Sequence, residues 1–195
     1  MLRRFTEEEM LDYWKRRLGL ALSPGVTGVS DHNGLDLKLL DDIRAWYADI
    51  LQTAPPQLVN CENLASEATV TLLDENCMEV TVPERGTRFV AIRLKAWDRP
   101  VERTVAPGSP AARLQTDPLA SATVDSPVVV EGVHRLFVYG LPGAGETEPQ
   151  YSGAAGIPPH RPAPEIESLV MAAFPADGSY VFDPGILRHS RLLLS

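Results

Sequence analysis

The run Gly140-Leu-Pro-Gly-Ala-Gly145-Glu146-Thr147, directly after the apolar Leu136-Phe-Val-Tyr139, is the stretch that comes nearest to a chemical motif. It follows the phosphate-loop pattern at every named position but one, because Glu146 stands where that loop needs lysine. A carboxylate there would face and repel the β- and γ-phosphates, and Glu148-Pro149 with the Gly/Pro run behind it forbids the helix whose N-terminus would complete the cradle. The segment therefore reads as a loop. Asp31-His32-Asn33-Gly34 places a base beside a carboxylate, as general acid–base chemistry requires, but the same four residues are turn formers and the turn is the preferred reading. The histidines His32, His134, His160 and His189 form no H-x-H or H-x-x-x-H pair, and none stands at ligand spacing from a cysteine. His134, beside Arg135 in a strand-like run, reads as a surface side chain. Cys61 and Cys77 lack a nucleophile context, and no G-x-S-x-G elbow is present. An enzyme would have to assemble its acid and base from distant residues such as Asp31, His32, Glu146 and His160. The expectation is a chain with no catalytic, metal or cofactor residues.

Composition points the same way. The 195 residues, 44% hydrophobic and 23% charged, suffice for one sizeable core. Net charge −8 argues against a protein that coats nucleic acid by general phosphate attraction, though a local basic stripe remains open, and no direct sequence-specific nucleic-acid partner is expected. No run approaches the roughly 18 apolar residues of a membrane span, and Met1-Leu-Arg-Arg-Phe-Thr-Glu-Glu-Glu turns acidic where a signal peptide turns apolar. A soluble protein made in the cytoplasm is expected, with both cysteines reduced and acting as small hydrophobes.

Two helices are predicted first. Thr6 and Glu9 form a capping box, Phe5 and Met10 a hydrophobic staple, and Gly19 a stop, which sets a helix over 6–18. Met10, Leu11, Trp14 and Leu18 make its apolar stripe, whose partner is either this chain or a neighbour. Residues 23–34, with Pro24, Gly25, Gly28 and Gly34, read as a loop. From an Asp36 N-cap, Leu39, Leu40, Ile43, Trp46, Tyr47, Ile50 and Leu51 keep helical spacing until Pro55-Pro56 ends the run.

The period then becomes two. Residues 68–73 and 77–82 flank a hairpin loop at 74–76; Glu84-Arg85-Gly86 turns into a long strand over 87–97; 101–105 returns briefly; and 107–118 is irregular. Residues 127–131 and 133–139 are strand-like around Gly132, and 166–174 and 179–182 flank a turn at 175–178 as a third hairpin. The C-terminal Ile186-Leu-Arg-His-Ser-Arg-Leu-Leu-Leu-Ser195 is ambiguous between strand and helical turn. Eleven of the twenty-five residues 140–164 are Gly or Pro, so that segment is a long excursion, an arm that needs packing on its own domain or on a neighbour to be ordered. The expected architecture is α+β. An N-terminal helical segment, 1–57, precedes a β-rich body, 58–195, that is a mainly antiparallel sandwich or barrel of six to eight short strands and carries the arm.

Charge is partitioned along the chain. Residues 85–103 carry six basic residues against two acidic ones, whereas 104–187 carry three against nine. Such a split suits the head-to-tail contacts of a ring, and a solvated strand face is the competing reading. The interface candidates are Arg88, Arg93, Lys95, Arg99 and Arg103, with Trp14 and Leu18 on the first helix and Tyr151 on the arm.

The helix Leu39-Leu-Asp-Asp-Ile-Arg-Ala-Trp-Tyr, the strand Arg88-Phe-Val-Ala-Ile-Arg-Leu-Lys-Ala-Trp, and the spacing from Gln115 through Pro118 to Pro127-Val-Val-Val and the 136–139 strand resemble neck and head–tail adaptor ring proteins of tailed, podovirus-like bacteriophages of gut bacteria. The likeness spans residues 36–140. It implies a virion component that forms a homo-oligomeric ring between portal and tail, made in the host cytoplasm, with the adjacent portal or tail proteins as partners and no enzymatic activity. The alternative is a non-catalytic ligand- or carbohydrate-binding β-sandwich, with Trp97, Tyr139 and Tyr151 as its aromatic surface.

Overall fold

The computed structural model describes residues 1–19, 32–117, 119–142 and 163–190. In chain order these form β1 (Arg3–Phe5), α1 (Glu7–Arg17), α2 (His32–Thr53), a 3₁₀ turn (Pro56–Leu58), β2 (Cys61–Asn63), β3 (Thr69–Leu72), β4 (Cys77–Thr81), β5 (Gly86–Leu94), α3 (Pro110–Leu114), β6 (Val128–Gly132), β7 (Arg135–Tyr139), β8 (Ile166–Ala173), β9 (Tyr180–Phe182) and α4 (Gly185–His189). Two long helices followed by eight strands in antiparallel sheets make the fold α+β and sandwich-like, with no closed barrel among the described residues.

The chain divides into two compact units, Met1–Cys61 with Ala172–Ser195, and Glu62–Met171. The C-terminal segment from Ala172 groups with the helices. In the helical unit, Thr6 caps α1 and Glu9 returns the bond to the Thr6 N–H, completing the capping box. The apolar stripe of α1 meets α2 and β9. Met10, Trp14, Ile43, Tyr47, Leu51 and Phe182 are all buried in one cluster. Aromatic edges lock it, with the Trp14 and Trp46 rings 5.7 Å apart and Trp46 and Phe182 5.3 Å apart. The Tyr47 hydroxyl accepts from Val181 N at 3.0 Å and donates to Val181 O at 3.2 Å, fixing β9 against the helix.

Three local expectations fail here for physical reasons. Helix α2 begins at His32, so 32–34 is helical backbone instead of loop, while 20–31 lies outside the described residues. Asp36 is accordingly inside the helix, and its carboxylate serves as the 2.7 Å ion-pair partner of Lys15 on α1 instead of as a cap. Strands β8 and β9 do form a turn between them, with Gly178 N donating to Pro175 O, but they do not pair. Strand β9 runs antiparallel to β1, Arg3 to Phe182 and Phe5 to Tyr180, in a ladder that needs a strand before the first helix.

In the second unit, one sheet has the order β3-β4-β7-β6 and another the order β2-β8-β5. Register explains the alternation. Leu72, Met78, Val138 and Val129 are successive cross-strand partners on one face, and Met78, Val138 and Val129 are buried. Each such side chain contributes about 1.5–3 kcal/mol through burial. The long strand β5 ends at Leu94, earlier than the expected 97, and the returning segment 101–105 pairs only at single residues, Val101 with Ile92 and Val105 with Val130. Residues 107–118 are less irregular than expected. Ser109 caps α3 by accepting from Ala112 N, and Pro110 sits at its first turn, where a missing N–H costs nothing. Strand β7 begins at Arg135, so His134 lies in the turn and not in a strand, exposed and at φ 54°.

Candidate functional site

The β-rich unit anchors the start of the Gly/Pro segment with unusual care. Asn76, in the β3–β4 turn, accepts through Oδ1 from the N–H groups of Gly140 and Leu141 at 3.0 and 3.1 Å, and donates through Nδ2 to Ala122 O at 2.9 Å. Trp97 Nε1 donates to Gly140 O at 2.9 Å. Gly140 adopts φ +89°, and a Cβ there would stand 2.4 Å from Thr123 O, so only glycine fits the joint. Of the phosphate-loop pattern, Gly140, Leu141 and Pro142 fall inside this anchor, whereas Glu146 and Thr147 lie outside the described residues, as do Tyr151 and His160.

Beside the anchor, a cleft of about 410 Å³ is lined by Trp97, Asp98, Arg99, Val124, Asp125 and Pro127 among others. Its titratable groups are one arginine and two aspartates, a mixed set without a base and a nucleophile in contact. Trp97 is 1% exposed, so its ring is core and not the aromatic platform that a carbohydrate-binding surface would require. Tyr139 is partly buried opposite Cys77 in the β4–β7 ladder. Burial pushes the Cys77 thiol up to about 11 and the Tyr139 hydroxyl up to about 12, the reverse of nucleophile activation. Cys61 is half-buried and its Sγ donates to Pro56 O at 3.3 Å. Among the described residues, no three His, Cys, Asp or Glu side chains gather as a metal site would need, and no helix is long and apolar enough to cross a membrane. His32 opens α2 in its backbone, but its side chain and that of His189 lie outside what is described, as does Asp31.

The basic stripe finds much of its opposite charge within its own sheet. Arg93 Nε lies 3.0 Å from Glu167 and Lys95 Nζ 2.6 Å from Glu165, both acids coming from or just before β8 next to β5. Arg85 bridges Glu62 and Glu67, each at 2.5 Å, and these hydrogen bonds hold the guanidinium pKa above its ordinary value and the Glu67 carboxyl below its own. Arg93 and Lys95 are thus engaged in the fold. Arg88 is half-buried on β5 with a partner of its own. Arg99 and Arg103 are exposed, and among the described residues no ion pair involves either. Trp14, 1% exposed, lies in the core of the helical unit; Leu18 packs partly buried against the same cluster.

Exposed apolar surface lies elsewhere, at positions that sequence reasoning missed. Leu73, Leu114 and Leu119 are 51%, 49% and 99% exposed. Leu73 follows β3, Leu114 closes α3 and Leu119 lies in the turn after it; Asn76 donates to Ala122 O at 2.9 Å, and Ala122 N donates to Gln115 Oε1 at 2.8 Å, next to Leu114. The only signal available in the sequence was their placement on turn-rich segments. No protein-family model matches the chain, and no curated protein is detectably similar to it.

Proposed function

We propose that this chain is a non-catalytic assembly subunit, a virion structural protein that forms a ring at the head–tail junction of a tailed bacteriophage and joins the portal to the tail. The observation that carries the reading is the exposure of Leu73, Leu114 and Leu119, three large apolar side chains of one unit on segments linked by the hydrogen bonds of Asn76, Ala122 and Gln115. Large apolar side chains exposed on linked segments suit a surface covered by another protein. The likeness of residues 36–140 to neck and adaptor proteins supplies the kind of assembly. Arg99, which lines the cleft, and Arg103, both exposed, add basic charge to the contact.

Sedimentation velocity at micromolar concentration tests the reading. The wild-type chain is expected to sediment as a closed oligomer, alone or with the phage portal protein, and the triple variant Leu73→Asp, Leu114→Asp, Leu119→Asp is expected to sediment as a folded monomer. A wild type that remains monomeric with and without portal contradicts it. So does a triple variant that assembles like the wild type.

A further inference from the structure

The cleft beside the Gly140 anchor carries charge that no ion pair consumes. Asp98 and Arg99 come from the segment that follows β5, and Asp125 from the turn before β6. All three are exposed, and among the described residues no ion pair involves any of them. Their neighbours on and just after β5 differ, since Arg93 and Lys95 are engaged with Glu167 and Glu165. At about 410 Å³ the cleft lies near the lower end of the roughly 300–1,000 Å³ usual for small-molecule sites. Pro100, Val101, Val124 and Pro127 give it an apolar lining between the charges.

The lining is held in place before any ligand arrives. Trp97 N donates to Leu94 O at 3.0 Å, Arg93 Nε donates to Trp97 O at 3.3 Å, and Val101 exchanges bonds of 2.9 and 2.8 Å with Ile92, so the segment carrying Asp98 and Arg99 is tied at both ends. Thr123 and Ser126 exchange bonds of 3.4 and 3.0 Å around Val124 and Asp125. Gly140 joins the two segments, because its carbonyl accepts from Trp97 Nε1 and its Cα packs against Thr123 and Pro127. Charges fixed on such a frame lose little freedom on binding, which favours a ligand whose own charges match theirs.

We propose that this cleft binds a free basic α-amino acid, arginine or lysine, with its two cationic groups set against Asp98 and Asp125 and its carboxylate against Arg99. Two carboxylates and one guanidinium leave the cleft one negative charge in excess, and a basic amino acid supplies the complement, two cations and one carboxylate. A neutral amino acid leaves one aspartate unmet, and a diamine sets a cation against Arg99. The aliphatic stem of the ligand lies along the proline and valine lining. This inference stands on the cleft and not on the assembly reading.

Equilibrium dialysis of the full chain against radiolabelled L-arginine tests it. Saturable binding of one arginine per subunit is expected, displaced by lysine and much less by leucine or putrescine. Asp125→Asn and Arg99→Gln, both at exposed positions, are each expected to weaken binding about three- to fivefold, the effect of one solvent-facing ion pair, with thermal melting unchanged. Glu8→Gln, exposed on α1 and outside the cleft lining, is expected to bind like the wild type. N-acetylarginine amide, which lacks the α-ammonium and the carboxylate, is expected not to compete; full competition by it assigns the cleft to an arginine side chain of a protein and overturns the free amino acid. The absence of saturable binding, unchanged binding by both cleft variants, or equal weakening by Glu8→Gln also overturns the proposal.

Discussion

Replacing Gly140 by alanine tests the anchor of the Gly/Pro segment. The backbone there sits at φ +89°, and forcing a Cβ into the left-handed region costs about 1–2 kcal/mol. The new Cβ would also stand 2.4 Å from Thr123 O and 3.0 Å from Pro127 Cα, both main-chain atoms that cannot rotate aside. Residue 140 must then move away from Asn76 Oδ1 and Trp97 Nε1, which meet its N–H at 3.0 Å and its carbonyl at 2.9 Å. Each lost bond costs about 1 kcal/mol, giving a total destabilisation of about 3–4 kcal/mol. For a chain of this size, that lowers Tm by on the order of 10 °C. Urea unfolding followed by circular dichroism measures the effect, with Gly178→Ala as the control. Gly178 is also at positive φ, +72°, but a Cβ there meets nothing within 4 Å, so only the strain of about 1 kcal/mol remains. Equal stabilities for the two variants would refute the close approach at Gly140.

Trp14→Ala is expected to destabilise the helical unit by about 3–5 kcal/mol, as the loss of a buried aromatic should, and a loss of association without loss of stability would return Trp14 to the interface. The Glu67 carboxyl is held below its ordinary value of 4.5 chiefly by its hydrogen bond to Arg85, so its stabilising contribution is present above pH 4.5 and is lost as pH falls through the lower folded value. Arg85→Met should therefore flatten the acid limb of the stability curve, a change readable from urea midpoints between pH 3 and pH 6. Cys77, with its thiol pushed up to about 11, should stay unlabelled by a disulfide reagent at pH 8 in the native protein and react fully in guanidinium; rapid native labelling at Cys77 would contradict its burial.

Local signals were legible where a few neighbouring residues decide the outcome. Thr6 and Glu9 fixed the start of α1, Asp74-Glu75-Asn76 fixed the β3–β4 turn, and the alternation of Met78, Val80, Leu136 and Val138 marked one buried sheet face. Elements defined by distant partners were not legible. Strand β1 exists because Arg3–Phe5 meets Tyr180–Phe182 at the other end of the chain, and three residues carry no period. The same cause hid the partners of the basic stripe. Arg93 and Lys95 look free in sequence, but Glu167 on β8 and Glu165 just before it lie beside them. The Ser109-Pro110 helix start was readable and was outweighed by the prolines around it. The exposed leucines escaped because a leucine in a short, turn-rich segment has the same spacing whether it folds inward or faces solvent.

A chain that works by joining copies of itself shows this in its mass, which mass photometry of the full chain reads. One discrete oligomer is expected, a whole-number multiple of the 21.3 kDa subunit, which dissociates when Leu73, Leu114 and Leu119 carry charge. A single peak at subunit mass, unchanged by addition of the portal protein, would contradict it.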